Sequence, residues 1–324
     1  MTDPTIARQR TAASISCVMP AYNEAGNLGQ VVPQVLIALK QLCDKVELIA
    51  INDGSKDQTE QVLRDLSLAH PELIALNLSR NFGKEAALTA GLDTATGDVV
   101  VIMDADGQHP SDLLPSMLQK WEQGIDVVFA VRKTRHDQSK LQIAFTSLFY
   151  KLINWRTRVK IPANAGDFRL MDRTVVHALK QLPERNRFMK GLYAWVGHPS
   201  IAIDYEPLPR ADGESSFGFR GAMSLAMTGL LAFSVAPLRL VSYFGLLLSI
   251  AALGYGAWVI FDYFWFGADT PGYATIVVGM MFLSGIQLLS IGILAEYIGR
   301  IYEEVKQRPT YLLQSKVGKG LDQS

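Results

Sequence analysis

Two kinds of apolar pattern divide this chain. Through about residue 131, short strand-like runs at 14–19, 46–51, 72–78 and 126–131, and an unbroken apolar one at 99–103, alternate with stretches at 27–42, 58–69, 85–95 and 111–123 whose apolar residues recur at helical spacing. Unbroken runs suit strands covered on both faces, and strands separated by helices predict an α/β domain with a parallel sheet between two helical layers. Further on the apolar stretches lengthen. Residues 138–154 mix large apolar side chains with Lys140 and Lys151, which suits an amphipathic helix lying at a membrane surface, with a core-facing helix as the alternative; the apolar stretch 221–236 is a second candidate for the membrane surface. Residues 241–266 and 273–295 are each long enough to span a bilayer, which takes about 20 residues.

Polar residues cluster where the runs end: Pro20 to Glu24, Asn52 to Asp57, Ser79 to Lys84 and Asp104 to Pro110. These are the C-terminal ends of successive strands, so the four loops share one rim of the sheet, where open α/β folds bind ligands. The last of them ends the central run with Asp104-Ala105-Asp106-Gly107-Gln108. Two carboxylates one residue apart suit a hard divalent cation that also takes phosphate oxygens, with Gln108 as a neutral oxygen ligand. The competing reading is a turn whose acids cap the next helix. Tyr22 can stack on a base, and Glu24 or Asp53 can accept hydrogen bonds from a nucleoside. Ser55 or Asp57 can equally cap a helix. Lys84 and Arg132 can offset diphosphate charge or stand as solvated surface cations. His109 and His136 have no triad or ligand partner in the sequence and are set aside.

Composition narrows the class. The 324 residues carry a formal net charge of +0, which gives no electrostatic reason to expect a nucleic-acid partner. Mean hydropathy is +0.14, high for a soluble enzyme, and the apolar excess lies towards the C-terminus. Cys17 and Cys43 lack metal-ligand spacing and read as free thiols of a reducing compartment. The N-terminus has no apolar core of a cleaved signal. No G-x-G-x-x-G follows the first strand and no G-x-x-x-x-G-K-[ST] occurs, which argues against dinucleotide oxidoreductases and P-loop nucleotidases.

PAYNE (20–24), NDGS (52–55), NFGKEAAL (81–88), DADGQHP (104–110), GDFRLMDR (166–173), PERNRFMKG (183–191) and EYIGRIYEEVKQRP (296–309) together resemble the polyprenyl-phosphate glycosyltransferases of inverting glycosyltransferase family 2, above all the bactoprenol glucosyltransferases. The resemblance implies a type-A glycosyltransferase, Rossmann-like fold, a UDP-sugar donor, a polyprenyl phosphate acceptor and Mg²⁺ or Mn²⁺. By position it implies that Pro20, Tyr22, Glu24, Ile51 and Asp53 line the nucleoside pocket. Asp104, Ala105, Asp106 and Gln108 would face the metal and the donor diphosphate, with Asp104, Asp106 and Gln108 as metal ligands. Lys84 and Arg132 would face phosphate, while Asp167, Arg169 and Asp106 would serve the reacting centre. Arg210 matches the arginine of the family's RxxGxSK motif, but Ser216 stands where that motif has lysine. Lys140, Arg185 and Arg187 are the candidates to replace that cation. Glucose from UDP-glucose is the expected donor sugar; dolichyl-phosphate mannose synthesis and aminoarabinose transfer are the alternatives. A processive synthase is disfavoured because Q-x-x-R-W is absent. A non-catalytic nucleotide-sugar binder fits the DADGQ run poorly.

The expected organisation is a cytoplasmic catalytic domain at 1–220, a juxtamembrane helix at 221–240, two transmembrane helices within 241–299 and a cytoplasmic tail at 300–324. Arg210, Arg220 and Arg239 precede the first span, Arg300, Lys306 and Arg308 follow the second, and the short loop between has no Lys or Arg. That bias predicts a multi-pass protein of the inner membrane with the catalytic part and both termini in the cytoplasm. Membrane lipid is an expected partner, and two lone spans also favour a homo-oligomer.

Overall fold

The computed structural model describes residues 11–12, 14–132, 165–208, 236–266 and 272–321. The expected helix at 138–154, most of that at 221–236, and Lys140, His136, Arg210, Arg220 and Ser216 lie outside them.

The first half follows the predicted alternation: β1 (Ile15–Ala21), α1 (Ala25–Leu42), β2 (Val46–Asn52), α2 (Thr59–Ala69), β3 (Leu73–Leu78), α3 (Lys84–Thr94), β4 (Val99–Ile102), a 3₁₀ turn (Ser111–Leu113), α4 (Leu114–Glu122) and β5 (Val127–Arg132). Then come β6 (Ala165–Asp172), α5 (Arg173–Lys180), α6 (Met189–Trp195), β7 (Ser200–Tyr205), the long helices α7 (Ala236–Phe266) and α8 (Tyr273–Val305), and β8 (Leu313–Val317).

All eight strands form one sheet in the order β7-β5-β6-β4-β1-β2-β3-β8. Strands β4, β1, β2 and β3 are mutually parallel, as expected. The sheet is nevertheless mixed, which corrects the all-parallel expectation. Strand β6 runs antiparallel to both β4 and β5, and β8 runs antiparallel to β3. The reason is local. β5 ends at the ligand-bearing rim, and Ala165 enters β6 opposite Val131 at that same rim. A chain that leaves and re-enters at one edge must run back through the sheet.

Side chains alternate between two buried layers, as pleated strands require. Cys17, Met19, Leu48, Ala50, Val99 and Val101 pack with Leu28, Val32, Leu63, Met117 and Trp121 of α1, α2 and α4. Val18, Ile49, Ile51, Val100 and Ile102 pack on the other side with Ala87, Leu88, Val175 and Leu192 of α3, α5 and α6. Enclosure pushes the Cys17 thiol up to about 12.

The C-terminal segment, expected only as a tail, returns to the domain. β8 covers the β3 edge, and the Leu321 amide donates to the buried Glu47 carboxylate at 3.3 Å. That carboxylate also accepts from the Thr96 amide and hydroxyl at 2.8 and 2.9 Å. Edge coverage removes a row of unpaired backbone groups.

On α7 and α8 large apolar side chains such as Leu253, Phe264, Trp265, Met281 and Leu288 are exposed. Among the described residues, one helical stretch, Gly279–Val305, is long and apolar enough to cross a membrane; Tyr243–Val259 is a shorter apolar stretch. Two full spans are therefore more than these lengths establish.

Candidate active site

The rim loops are fastened to one another by their own side chains. Asn23 takes a left-handed conformation (φ 57°); its amide donates to Ser55 Oγ and its Oδ1 accepts from the Lys56 amide, both at 2.9 Å. Asp57 accepts from the Thr59 and Ala25 amides, capping α2 and steadying the start of α1. Glu24 Oε2 accepts from Asn27 Nδ2 at 2.6 Å, and Tyr22 is half-buried beside it. Pro20 lies near the end of β1, paired with Ile51. Ile51 itself is fully enclosed by the core, so its side chain presents no surface to a ligand. Asp53 is nearly enclosed as well. Its two oxygens accept the Phe82 and Gly83 amides at 2.7 and 2.9 Å, which fixes the corner where α3 begins. Burial raises the Asp53 pKa, and the two amides and Arg80 work against that rise. Gly54, at φ +60°, lets this loop touch the next: a Cβ there would stand 2.3 Å from the Arg80 carbonyl carbon.

Three sequence-predicted residues meet at the end of β4. Lys84, first in α3, places its ammonium 2.7 Å from Asp104 Oδ1 and 2.8 Å from Asp167 Oδ2. Asp167 reaches this rim because β6 runs backwards: Arg169 pairs with Ile102, so the residues before it overshoot the end of β4. Burial alone would lower the Lys84 pKa, but the two carboxylates more than reverse it, and the ammonium stays charged. Burial would likewise raise Asp167, yet Lys84, Lys190 and Arg169 hold its carboxyl well below the usual range. Across the loop, Asp106 Oδ1 accepts the Gln108 amide at 3.1 Å, and Arg132 Nη2 donates to Gln108 Oε1 at 2.7 Å. Ala105, between the two acids, is buried.

Arg169 lies deeper. It is 3% exposed, stacks on the Tyr193 ring with its guanidinium carbon 3.5 Å from the centroid, and donates through Nη2 to the Gly166 carbonyl at 2.7 Å. It thus braces the strand that carries Asp167.

Three neighbours escaped the sequence reading. His109, set aside there, orders the acidic loop: its Nδ1 accepts the Asp104 amide at 3.0 Å while its ring stacks on Phe168 at 4.8 Å. That bond places the proton of the neutral ring on Nε2, and burial lowers the pKa in favour of the neutral form. Glu85, next to Lys84, has its carboxyl pushed up to about 7 by burial and by Asp167. Tyr193 supplies the ring under Arg169. The only sequence signal for Glu85 was its place after Lys84 at a helix start; the other two depend on cross-strand geometry. Arg185 and Arg187, candidates to replace the cation missing at Ser216, are committed to main-chain carbonyls of Arg308, Leu182 and Glu184.

Residues 16–180 match Glycosyl transferase family 2, and residues 236–301 match the GtrB C-terminal hairpin. The chain belongs to glycosyltransferase family 2. This family 2 glycosyltransferase is 43% identical over 304 residues to an uncharacterized glycosyltransferase of Synechocystis sp., covering 94% of this chain and 96% of that one. It is 42% identical over 306 residues to the bactoprenol glucosyl transferase of Shigella phage SfX, covering 93% and 99%. A Bacillus subtilis glycosyltransferase of uncharacterized function is 38% identical over 303 residues, covering 94% of each chain.

The donor set fits a divalent cation. Asp104 and Asp106 offer hard carboxylate oxygens at a strand end, beside Gln108. Among the described residues no group of three or more His, Cys, Asp or Glu could hold a metal, so the remaining ligands would be substrate oxygens and water.

Proposed function

We propose that this glycosyltransferase moves glucose from UDP-glucose onto polyprenyl phosphate at the cytoplasmic face of the inner membrane, with inversion at the anomeric carbon. The observation that carries the reading is the joining of Asp104 and Asp167 through Lys84 at one rim, in a chain whose C-terminal part matches an apolar hairpin. The bactoprenol glucosyl transferase relatives supply the acceptor class and the sugar. The site residues follow the sequence expectation: Pro20, Tyr22, Glu24 and the Asp53 corner receive the nucleoside, and Asp104, Asp106 and Gln108 hold Mg²⁺ or Mn²⁺. A cation held by these residues would supply positive charge to offset that growing on a departing diphosphate.

Lys84 and Arg132 add fixed positive charge beside the same oxygens. Asp167 is held ionised by Lys84 and Lys190, so it is a weak proton acceptor at neutral pH. A strong base is not needed, because a phosphate monoester with a second pKa of about 6 is largely dianionic at pH 7. Asp167 orients the Lys84 ammonium and the incoming acceptor. Arg210 completes the phosphate clamp in this reading.

The apolar faces of α7 and α8 cross the bilayer as a two-helix hairpin, which keeps the rim at the surface where a lipid phosphate emerges. A homo-oligomer formed through these helices is part of the proposal.

The test is transfer by the purified full chain in lipid nanodiscs, with undecaprenyl phosphate, Mg²⁺ or Mn²⁺, and UDP-glucose, GDP-mannose or a UDP-aminoarabinose donor in parallel. Mass spectrometry of the lipid should show one added hexose from UDP-glucose. Product from another donor alone would replace the sugar assignment. Donor turnover without any lipid product would overturn the acceptor.

A further inference from the structure

Glu304 stands in the last turn of α8, just beyond the part of the chain that matches the apolar hairpin. Its carboxylate accepts the backbone amides of Arg185 at 2.9 Å and Asn186 at 3.1 Å. Glu303 accepts from Asn186 Nδ2 at 3.0 Å, and the Arg185 guanidinium donates to the Arg308 carbonyl. The segment 183–188, which has no helix or strand of its own, is thus tied to the end of α8 mainly through its main chain. Amide bonds to a carboxylate are charge-assisted and stronger than neutral ones.

The same segment is tied at its far end to α3. Arg187 Nη1 donates to Thr89 Oγ1 at 3.3 Å, and the Met189 amide donates to Glu85 Oε2 at 3.2 Å. Thr89 Oγ1 donates in turn to the Glu85 carbonyl at 2.8 Å. Glu85 follows Lys84, whose ammonium joins Asp104 to Asp167. Polar contacts joined by short stretches of main chain therefore run from the end of the apolar helix to the reacting rim without passing through the sheet.

We propose that Glu304 is a positioning residue: through the 183–188 segment and Glu85 it sets where α3 presents Lys84 to Asp104 and Asp167, so that the apolar hairpin and the catalytic rim keep one register. The inference rests on the proposed transfer to a lipid-held phosphate. There the bilayer fixes the depth of the acceptor, and a link from the hairpin helps hold the rim at that depth. Interaction of Glu304 with the loop for stability alone is the competing account. Small misplacements at a reacting centre are costly, which makes the two accounts separable.

The experiment uses the full chain in nanodiscs and four variants: Glu304→Ala, Glu304→Gln, Glu85→Gln and the Glu304→Ala/Glu85→Gln double. Glu304→Ala should lower kcat about tenfold while donor KM stays within about twofold. Glu304→Gln keeps an acceptor oxygen and should recover most of the loss. The double variant should be no slower than the worse single, because both act through one path. Amide hydrogen exchange should rise in 183–190 and also in the first turn of α3. Exchange that rises in 183–188 and stops there, or kcat losses that multiply in the double variant, would overturn the proposal. Should Glu304→Ala fail to fold, Glu304→Asp gives the same comparison with the carboxylate drawn back by one methylene. The exchange measurement needs no substrate. It therefore stands even if wild-type protein transfers no sugar, an outcome that would refute the reaction instead.

Discussion

The Lys84 ammonium lies 2.8 Å from Asp167, although the two residues belong to a helix start and a strand start more than eighty positions apart. The same ammonium reaches Asp104 at 2.7 Å. Replacing Lys84 with Met removes the charge that joins the two carboxylates and that helps hold Asp167 ionised. Transfer should fall by about 10²-fold, the scale of losing one preorganised electrostatic partner. Mn²⁺ affinity, read by electron paramagnetic resonance without substrate, should rise, because Asp104 loses its competing cation. Unchanged Mn²⁺ binding would separate Lys84 from the metal ligands.

Asp106 shapes the acidic loop, its Oδ1 accepting the Gln108 amide at 3.1 Å. Asp106→Asn keeps an acceptor for that amide while removing the negative charge. Circular dichroism and melting should stay near wild type, and sugar transfer should drop by at least about 10²-fold. An active Asp106→Asn enzyme would refute the metal assignment.

Glu85 carries the pH prediction. Burial, then the nearby Asp167, push its carboxyl from the ordinary 4.5 up to about 7. Between those two values the folded protein binds more protons at this group than the unfolded chain does, so stability falls as pH rises through that window. The cost is absent below pH 4.5 and fully present above pH 7. Glu85→Gln should therefore melt higher than wild type at pH 8 and lose that advantage near pH 5. Equal melting shifts at both pH values would contradict the raised carboxyl.

Asp172 supports the site from behind. Its Oδ1 caps α5 through the Thr174 amide at 2.8 Å, and its Oδ2 accepts from the buried Trp121 indole N–H, also at 2.8 Å. Asp172→Ala removes a cap and strips that N–H of this acceptor, so it should destabilise the domain by about 2–4 kcal/mol in urea unfolding. Asp172→Asn keeps one acceptor oxygen, for the helix cap or for the indole but not for both, and should lose less than Asp172→Ala.

The amino-acid sequence alone determined the β/α alternation up to Arg132, because unbroken apolar runs and helical spacing are local signals that each strand and helix carries in itself. It also determined the shared rim, since every polar cluster follows a run, and it exposed the acids Asp104 and Asp106. GDFRL named Asp167 and Arg169 through resemblance, without showing how they arrive. Only the tertiary structure decided that β6 runs backwards and so delivers Asp167 to the rim, that His109 orders the acidic loop, and that Asp53 spends its oxygens on the corner at Gly83. It alone brought the 183–188 segment onto Glu304 and turned the C-terminal tail into a sheet edge. Apart from the local His109 bond to Asp104, these are pairings between residues far apart in the chain. They depend on strand direction and on which surfaces remain to be covered, and no local run of residues encodes either.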